Sequence, residues 1–235
     1  MKLNFLGMGA SFYPQVGNNS AYFIDQDELF LIDAGEDVFG KLMSQGILKQ
    51  VKIINLLVTH LHSDHVGSLG SLILYCNFAM KAKLRIIYQN DLKYFEDLKR
   101  LVEIFGCTNE MVEYRLTDSY NDYNLFDSIT FIETDHCDTL DCYGIKFQKG
   151  DVVTYYSGDT RELTQTRAIL EHEKVDYVYI DVNTSNAEGR VHVFIDELLE
   201  LDHNYFEHLY CMHINSPECI DKAHQYGLKV VLIDD

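Results

Sequence analysis

The stretch Ile53-Ile54-Asn55-Leu56-Leu57-Val58-Thr59-His60-Leu61-His62-Ser63-Asp64-His65-Val66-Gly67 decides the reading of this chain. Its first six residues are the kind of mostly apolar run that forms a buried strand, and the run stops at a dense set of polar groups. Three imidazoles and a carboxylate within six residues therefore stand at the C-terminal end of a strand, where layered α/β proteins place chemistry. Imidazole nitrogens and carboxylate oxygens suit zinc and its borderline neighbours. In an extended segment His60 and His62 point the same way, while Asp64 and His65 begin the next turn and can face a second ion. A purely structural zinc closes four ligands without spare carboxylates, and this chain offers more candidates downstream. The expectation is a catalytic centre of two divalent ions.

On either side of this stretch, short β-rich runs recur at 3–6, 21–25, 29–33, 84–88, 129–133, 145–148, 152–156, 177–181, 209–212 and 229–233. Apolar spacing near 3.6 and caps such as Ser216-Pro217 predict helices over 37–45, 66–79, 91–105, 161–172, 195–201 and 217–226. Hairpins dominate the first third, and strand–helix alternation the rest. That mixture predicts two sheets covered by outer helices. No Gly/Ser/Pro-rich linker divides the chain, so residues 1–235 are expected to form one domain, with 118–124 read as a loop.

The N-terminus has no long apolar stretch, and no run approaches the length needed to cross a bilayer, so a cytoplasmic protein without membrane contact is expected. Six cysteines lie scattered without a C-x-x-C pair and read as buried thiols. The formal charge of −18 opposes binding of tRNA or another extended polyanion, because such affinity rests on Lys and Arg contacts to phosphates. A small substrate is favoured. Bound cations would cancel several of these charges locally.

The run Thr59 to Gly67 closely resembles the metal motif of the metallo-β-lactamase superfamily, and the likeness extends over the whole chain. Gly7-Met8-Gly9-Ala10-Ser11 with Asn18-Asn19-Ser20 resembles the opening hairpin of that family. Leu31-Ile32-Asp33-Ala34-Gly35 resembles its next landmark, whose Asp supports the metal loop. His136, Asp159 in Ser157-Gly158-Asp159-Thr160 and His213 in Cys211-Met212-His213-Ile214 fall in the order the family uses for its remaining ligands. The resemblance implies a four-layer αββα sandwich of α/β (α+β) class. It implies His60, His62 and His136 on one ion, Asp64, His65 and His213 on the other, and Asp159 between them. His172, His203, His208 and His224 lack such placement and read as surface or packing residues.

Two ions can activate water and stabilise both attacking and leaving oxygens, a mechanism that serves phosphodiesters, lactones, thioesters and β-lactams alike. A second constellation narrows the choice. The strand 177–181 ends in Asp181, and His192 stands before a helix; a carboxylate-oriented histidine is a suitable general acid for an alkoxide leaving group. In ribonuclease Z and the related cyclic-nucleotide phosphodiesterases an acidic residue pairs with a histidine at these places, and Asp181 and His192 resemble that pair. The ribonuclease branch has Glu where Asp181 stands and a small hydroxyl residue where this chain has Val193. It also carries a long tRNA-binding arm between the positions of His136 and Asp159, an interval that here holds only a hairpin.

The resemblance thus implies a dinuclear hydrolase, with zinc first and manganese or iron as alternatives. Its expected substrate is a small phosphodiester such as a cyclic nucleotide, and Asp64, Asp181 and His192 are the expected catalytic residues. Homodimers are common in this branch. A lactonase or thioesterase of the same superfamily, a ribonuclease Z-like endonuclease and a non-catalytic binding module are the competing readings.

Overall fold

The segment Glu28-Leu29-Phe30-Leu31-Ile32 has almost no polar side chain to give to water. In the computed structural model, which describes residues 2–117, 126–184 and 190–233, both of its faces are covered. Leu29 and Leu31 pack toward helices, while Phe30 and Ile32 pack toward a second sheet. Successive side chains of a strand point to opposite faces, so this apolar run specifies a buried strand between two layers.

The first sheet joins β1 (Asn4–Gly7), β2 (Ser20–Asp25), β3 (Glu28–Ile32), β4 (Ile53–Leu57), β5 (Leu84–Tyr88) and β6 (Val112–Leu116) in that order. β1 to β3 are antiparallel and β3 to β6 parallel. Its helices are α1 (Val38–Ser44), α2 (Ser63–Val66), α3 (Leu69–Tyr75) and α4 (Leu92–Ile104). The second sheet repeats the scheme with β7 (Ser128–Glu133), β8 (Tyr143–Lys149), β9 (Val152–Tyr156), β10 (Tyr177–Asp181), β11 (Leu209–Met212) and β12 (Lys229–Val230). Here β7 to β9 are antiparallel and β9 to β12 parallel, covered by α5 (Thr164–His172) and α6 (Pro217–Gln225).

Three apolar layers hold this αββα sandwich together. Between the sheets lie Phe5, Phe23, Phe30, Leu57, Ile145, Phe147, Tyr156 and Tyr179. Phe23 stacks on Phe30 with ring centroids 4.7 Å apart, and Phe126 meets Phe30 edge-on at 5.1 Å. Burying each such side chain stabilises the fold by roughly 1.5–3 kcal/mol. Leu42, Leu56, Leu69 and Leu98 fill the space under α1, α3 and α4, and Ile169, Val178, Ile180 and Ala223 the space under α5 and α6.

The structure departs from the expected elements at four places. The helix expected over 66–79 is interrupted after α2, where the Ser68 hydroxyl donates to Ala34 O at 3.2 Å, and it ends in a π-helical turn, Cys76–Met80. Arg161 belongs to a loop, its N–H donating to Asp135 O at 2.6 Å, so α5 starts later than expected. The helix expected over 195–201 is a 3-10 segment, Ile195–Glu200. β6 falls where no strand was expected, and hairpins return in β7 to β9. The loop expected over 118–124 lies outside the described residues. None of the described helices is long and apolar enough to cross a membrane.

Candidate metal centre

Parallel strands of a sheet deliver their C-terminal ends to one edge, and both sheets do so on the same side of the sandwich. Asp33 follows β3, His60 follows β4, His136 lies beyond β7, Asp159 beyond β9, Asp181 ends β10 and His213 follows β11. Ala34 N donates to His65 O at 2.7 Å and Ser68 N to Ala34 O at 2.9 Å, which ties the histidine-rich turn to the segment after β3. Gly35 makes this possible, because a Cβ there would lie 2.1 Å from Asp64 O. Asp33 and His213 have φ of 63° and 54°, left-handed values that cost a residue with a Cβ about 1 kcal/mol or more. Both side chains join the cluster.

The structure brings together all seven candidates from His60 to His213. Asp159 Oδ2 lies 3.9 Å from His60 Nε2, 3.4 Å from His65 Nε2, 3.7 Å from His136 Nε2 and 3.5 Å from His213 Nε2. On one side of it His62 Nδ1 is 2.9 Å from His60 Nε2 and 3.3 Å from His136 Nε2. On the other, Asp64 Oδ2 is 3.5 Å from His65 Nε2 and 3.4 Å from His213 Nε2. The sets His60/His62/His136 and Asp64/His65/His213 each gather three donor atoms within 4.8 Å of one another, as does His60/His65/Asp159.

The outer ring atoms explain why these nitrogens face inward. His136 Nδ1 donates to Val191 O at 2.7 Å; a carbonyl can only accept, so Nε2 presents its lone pair to the cluster. His65 Nδ1 is 2.9 Å from Asp33 Oδ2, while Asp33 also accepts from Thr59 N at 2.8 Å and the Thr59 hydroxyl at 2.9 Å. His65 Nε2 and Asp159 Oδ1 are buried with no hydrogen-bond partner.

Four buried carboxylates, Asp33, Asp64, Asp159 and Asp181, and six histidines in so small a volume demand a charge balance. Burial works against the Asp159 anion, but the charges of His213 and His65 hold its carboxyl well below the usual range. Burial disfavours charge on His213 too, and Asp159 and Asp181 override it, raising the ring to about 10. For Asp64, burial is outweighed by the His213 bond, and the carboxyl falls to about 2. The carboxylates that favour charge on His65 and His213 would equally favour a divalent cation among these groups. Orphaned inward atoms, imidazole and carboxylate donors and anions awaiting a counter-charge all fit divalent metal.

Asp181 and His192 meet beside the cluster. His192 Nδ1 is 2.8 Å from Asp181 Oδ2, and Asp181 also accepts from Thr160 N at 3.1 Å. Asp181 Oδ1 lies 3.3 Å from His213 Nδ1, so one carboxylate faces both rings. Burial disfavours the His192 cation, yet the Asp181 carboxylate raises its pKa above the ordinary histidine value. A cavity of about 560 Å³ opens over these groups, and Phe12, Ser63, Arg190, His192 and Asn215 line it. Arg190, Asn215 and the Val191 carbonyl carried no sequence signal, since a loop arginine or asparagine and a backbone oxygen belong to no metal or acid–base pattern.

Fold and site together define a metal-dependent hydrolase of metallo-β-lactamase architecture. The metallo-β-lactamase fold protein YhfI from Bacillus subtilis is similar with a TM-score of 0.72 at 18% identity, over 99% of this chain and 95% of that one. The short form of human tRNase Z superposes with a TM-score of 0.68 at 19% identity, over 100% and 97%. A sequence profile described as "Anti-Pycsar protein Apyc1" matches residues 1–231, and the chain belongs to that family. The Apyc1 protein of Bacillus phage 010DV004 is 23% identical over 232 residues, 85% of this chain and 82% of the phage protein.

Proposed function

We propose that the chain is a dinuclear phosphodiesterase acting on a small phosphodiester such as a cyclic nucleotide, with His192 as its general acid. The observation that carries this reading is the 2.8 Å pairing of His192 with Asp181 at the wall of the cavity that five of the seven cluster residues line. His60, His62 and His136 would hold one ion, Asp64, His65 and His213 the second, and Asp159 both. When bound, two ions, with zinc the first choice, supply Lewis acidity toward the phosphoryl oxygens and lower the pKa of water.

The chain's own residues do the rest. Asp181 accepts from His192 Nδ1, fixes the ring's orientation and favours its charged form. That leaves the Nε2 proton to move to the leaving alkoxide oxygen as the P–O bond breaks, which matters most for a poor leaving group such as a ribose oxygen. A lactone or thioester has less need of this proton. The net charge of −18 and a hairpin in place of an arm between His136 and Asp159 argue for a small substrate over tRNA. A homodimer goes with this reading through the resemblance alone.

The test is to assay purified, metal-loaded protein against cyclic mono- and dinucleotides, linear RNA, bis(p-nitrophenyl) phosphate and an acyl-lactone. Cyclic nucleotide turnover is the expected result. Turnover of the lactone alone overturns the proposal.

A further inference from the structure

The residues Arg190, Val191 and His192 form a short strap that serves two parts of the site at once. The Val191 carbonyl accepts from His136 Nδ1, and the His192 ring meets Asp181. Downstream, backbone bonds anchor the strap to the end of the second sheet: Asn183 N donates to Val193 O at 2.8 Å and Ile195 N to Asn183 O at 2.9 Å. At its upstream end the anchoring comes from the Arg190 side chain. The guanidinium grips Glu197 in a two-pronged ion pair, with Nη2 2.6 Å from Oε2 and Nη1 against Oε1. Its Nε donates to the His192 carbonyl at 3.2 Å, and Nη2 donates to the Arg161 carbonyl. Arg161 in turn gives Nε and Nη2 to the His136 carbonyl at 3.1 and 2.7 Å.

Among the described residues Arg190 is the one arginine lining the cavity, and a direct grip on the substrate phosphate is the obvious role for it. The geometry argues otherwise. Four of its five N–H donors are spent on Glu197 and on two carbonyls, leaving a single one on Nη1, and a planar fork held bidentately by a carboxylate is a fixed bracket. We propose that the Arg190–Glu197 pair is a positioning clamp: it sets the strap so that His192 is aimed at the leaving oxygen and the Val191 carbonyl holds His136 in its inward-facing orientation. This rests on the reading of His192 as general acid and of His136 as a metal ligand.

A clamp of this kind has a signature that neither phosphate binding nor general structural support shares. Loosening the strap weakens proton delivery, which a ribose oxygen needs and p-nitrophenolate does not. The experiment compares Arg190→Ala and Glu197→Gln with the parent chain, at saturating zinc, on a cyclic nucleotide and on bis(p-nitrophenyl) phosphate. A ratio of two kcat values from one preparation does not depend on the fraction folded, so a poorly folding variant remains informative. The expected result is a kcat loss of about 10- to 100-fold on the cyclic nucleotide and less than about 3-fold on the nitrophenyl ester, with KM little changed. In parallel, chelator competition reads zinc retention, which is expected to weaken by about 10-fold through His136.

Equal losses on both substrates, or a rise in KM on both as for a phosphate-binding arginine, overturn the clamp. So does unchanged zinc retention, an arm that needs no phosphodiester turnover. A parent chain that cleaves no phosphodiester overturns the proposed function instead, which keeps the two failures apart.

Discussion

His192 is the residue on which the chemistry turns. His192→Ala removes the proton donor and leaves the seven-residue cluster in place. Turnover of a cyclic nucleotide should fall by about 10²- to 10⁴-fold, and that of bis(p-nitrophenyl) phosphate far less. Steady-state kinetics on both substrates check this, and equal losses would remove His192 from the role. Phe12 invites a second test, because its side chain is 97% exposed at the rim of the cavity. An apolar ring left in water beside the site is placed to stack on a flat base, a contact worth about 1–3 kcal/mol. Phe12→Ala should raise KM for a cyclic nucleotide by about 5-fold or more with kcat unchanged, while Phe12→Tyr retains the parent value.

Among the elements, α4 depends on a single side chain at its start. Asp91 accepts from Lys93 N at 2.9 Å and Tyr94 N at 3.1 Å and also from the Tyr143 hydroxyl at 2.6 Å, so it caps the helix and joins it to β8. Asp91→Ala should cost about 1–2 kcal/mol in denaturant unfolding without touching the active centre. The Tyr143 bond leads the causes that hold the Asp91 carboxyl below its ordinary value. Its stabilising share is therefore present above the ordinary carboxylate range and lost as pH falls through the depressed value. Stability of Asp91→Ala should vary less with pH below about 4 than that of the parent chain.

The same scale shows why some elements could be read from the chain and others not. β3, β4, β10 and β11 are continuous apolar runs because both faces are covered, and each could be placed within a residue or two. β6 reads Val-Glu-Tyr-Arg-Leu and lies at the edge of its sheet, where Glu113 pairs with Arg85; half-buried charges at an edge look like a loop. Arg161 fits a helical pattern, but its backbone N–H is taken by Asp135 O, a tertiary contact that overrides local preference. At the site, the candidate ligands were legible because each follows an apolar strand. The Arg190–Glu197 bracket was not, since an arginine and a glutamate seven positions apart fit no metal or acid–base pattern and the arginine's other partners are backbone oxygens.

At the scale of the whole molecule, the two sheets meet over a cluster of buried carboxylates and imidazoles whose donor atoms fit divalent metal. Removing metal with a chelator should lower Tm, and restoring zinc should recover it. Metal at a thousandfold excess over its Kd adds about 4 kcal/mol, or roughly 10 °C for a chain of this size. Differential scanning calorimetry with and without chelator reads the shift, and an unchanged Tm would speak against a metal-holding cluster.

The cluster takes His60, His62, Asp64 and His65 from one sheet's loops and His136, Asp159 and His213 from the other's, and Asp64 and His213 are 149 positions apart. Groups so distant in sequence meet only after both sheets have docked, late on the folding path. A cation that recognises the finished cluster therefore lowers the native state and leaves the folding transition state where it was. Zinc should act on the clock of unfolding, slowing it by about a thousandfold at that same excess while the refolding rate stays put. Stopped-flow traces would show one limb of the chevron dropping and the other unmoved, the pattern of a chain whose metal sets its lifetime and not its speed of assembly.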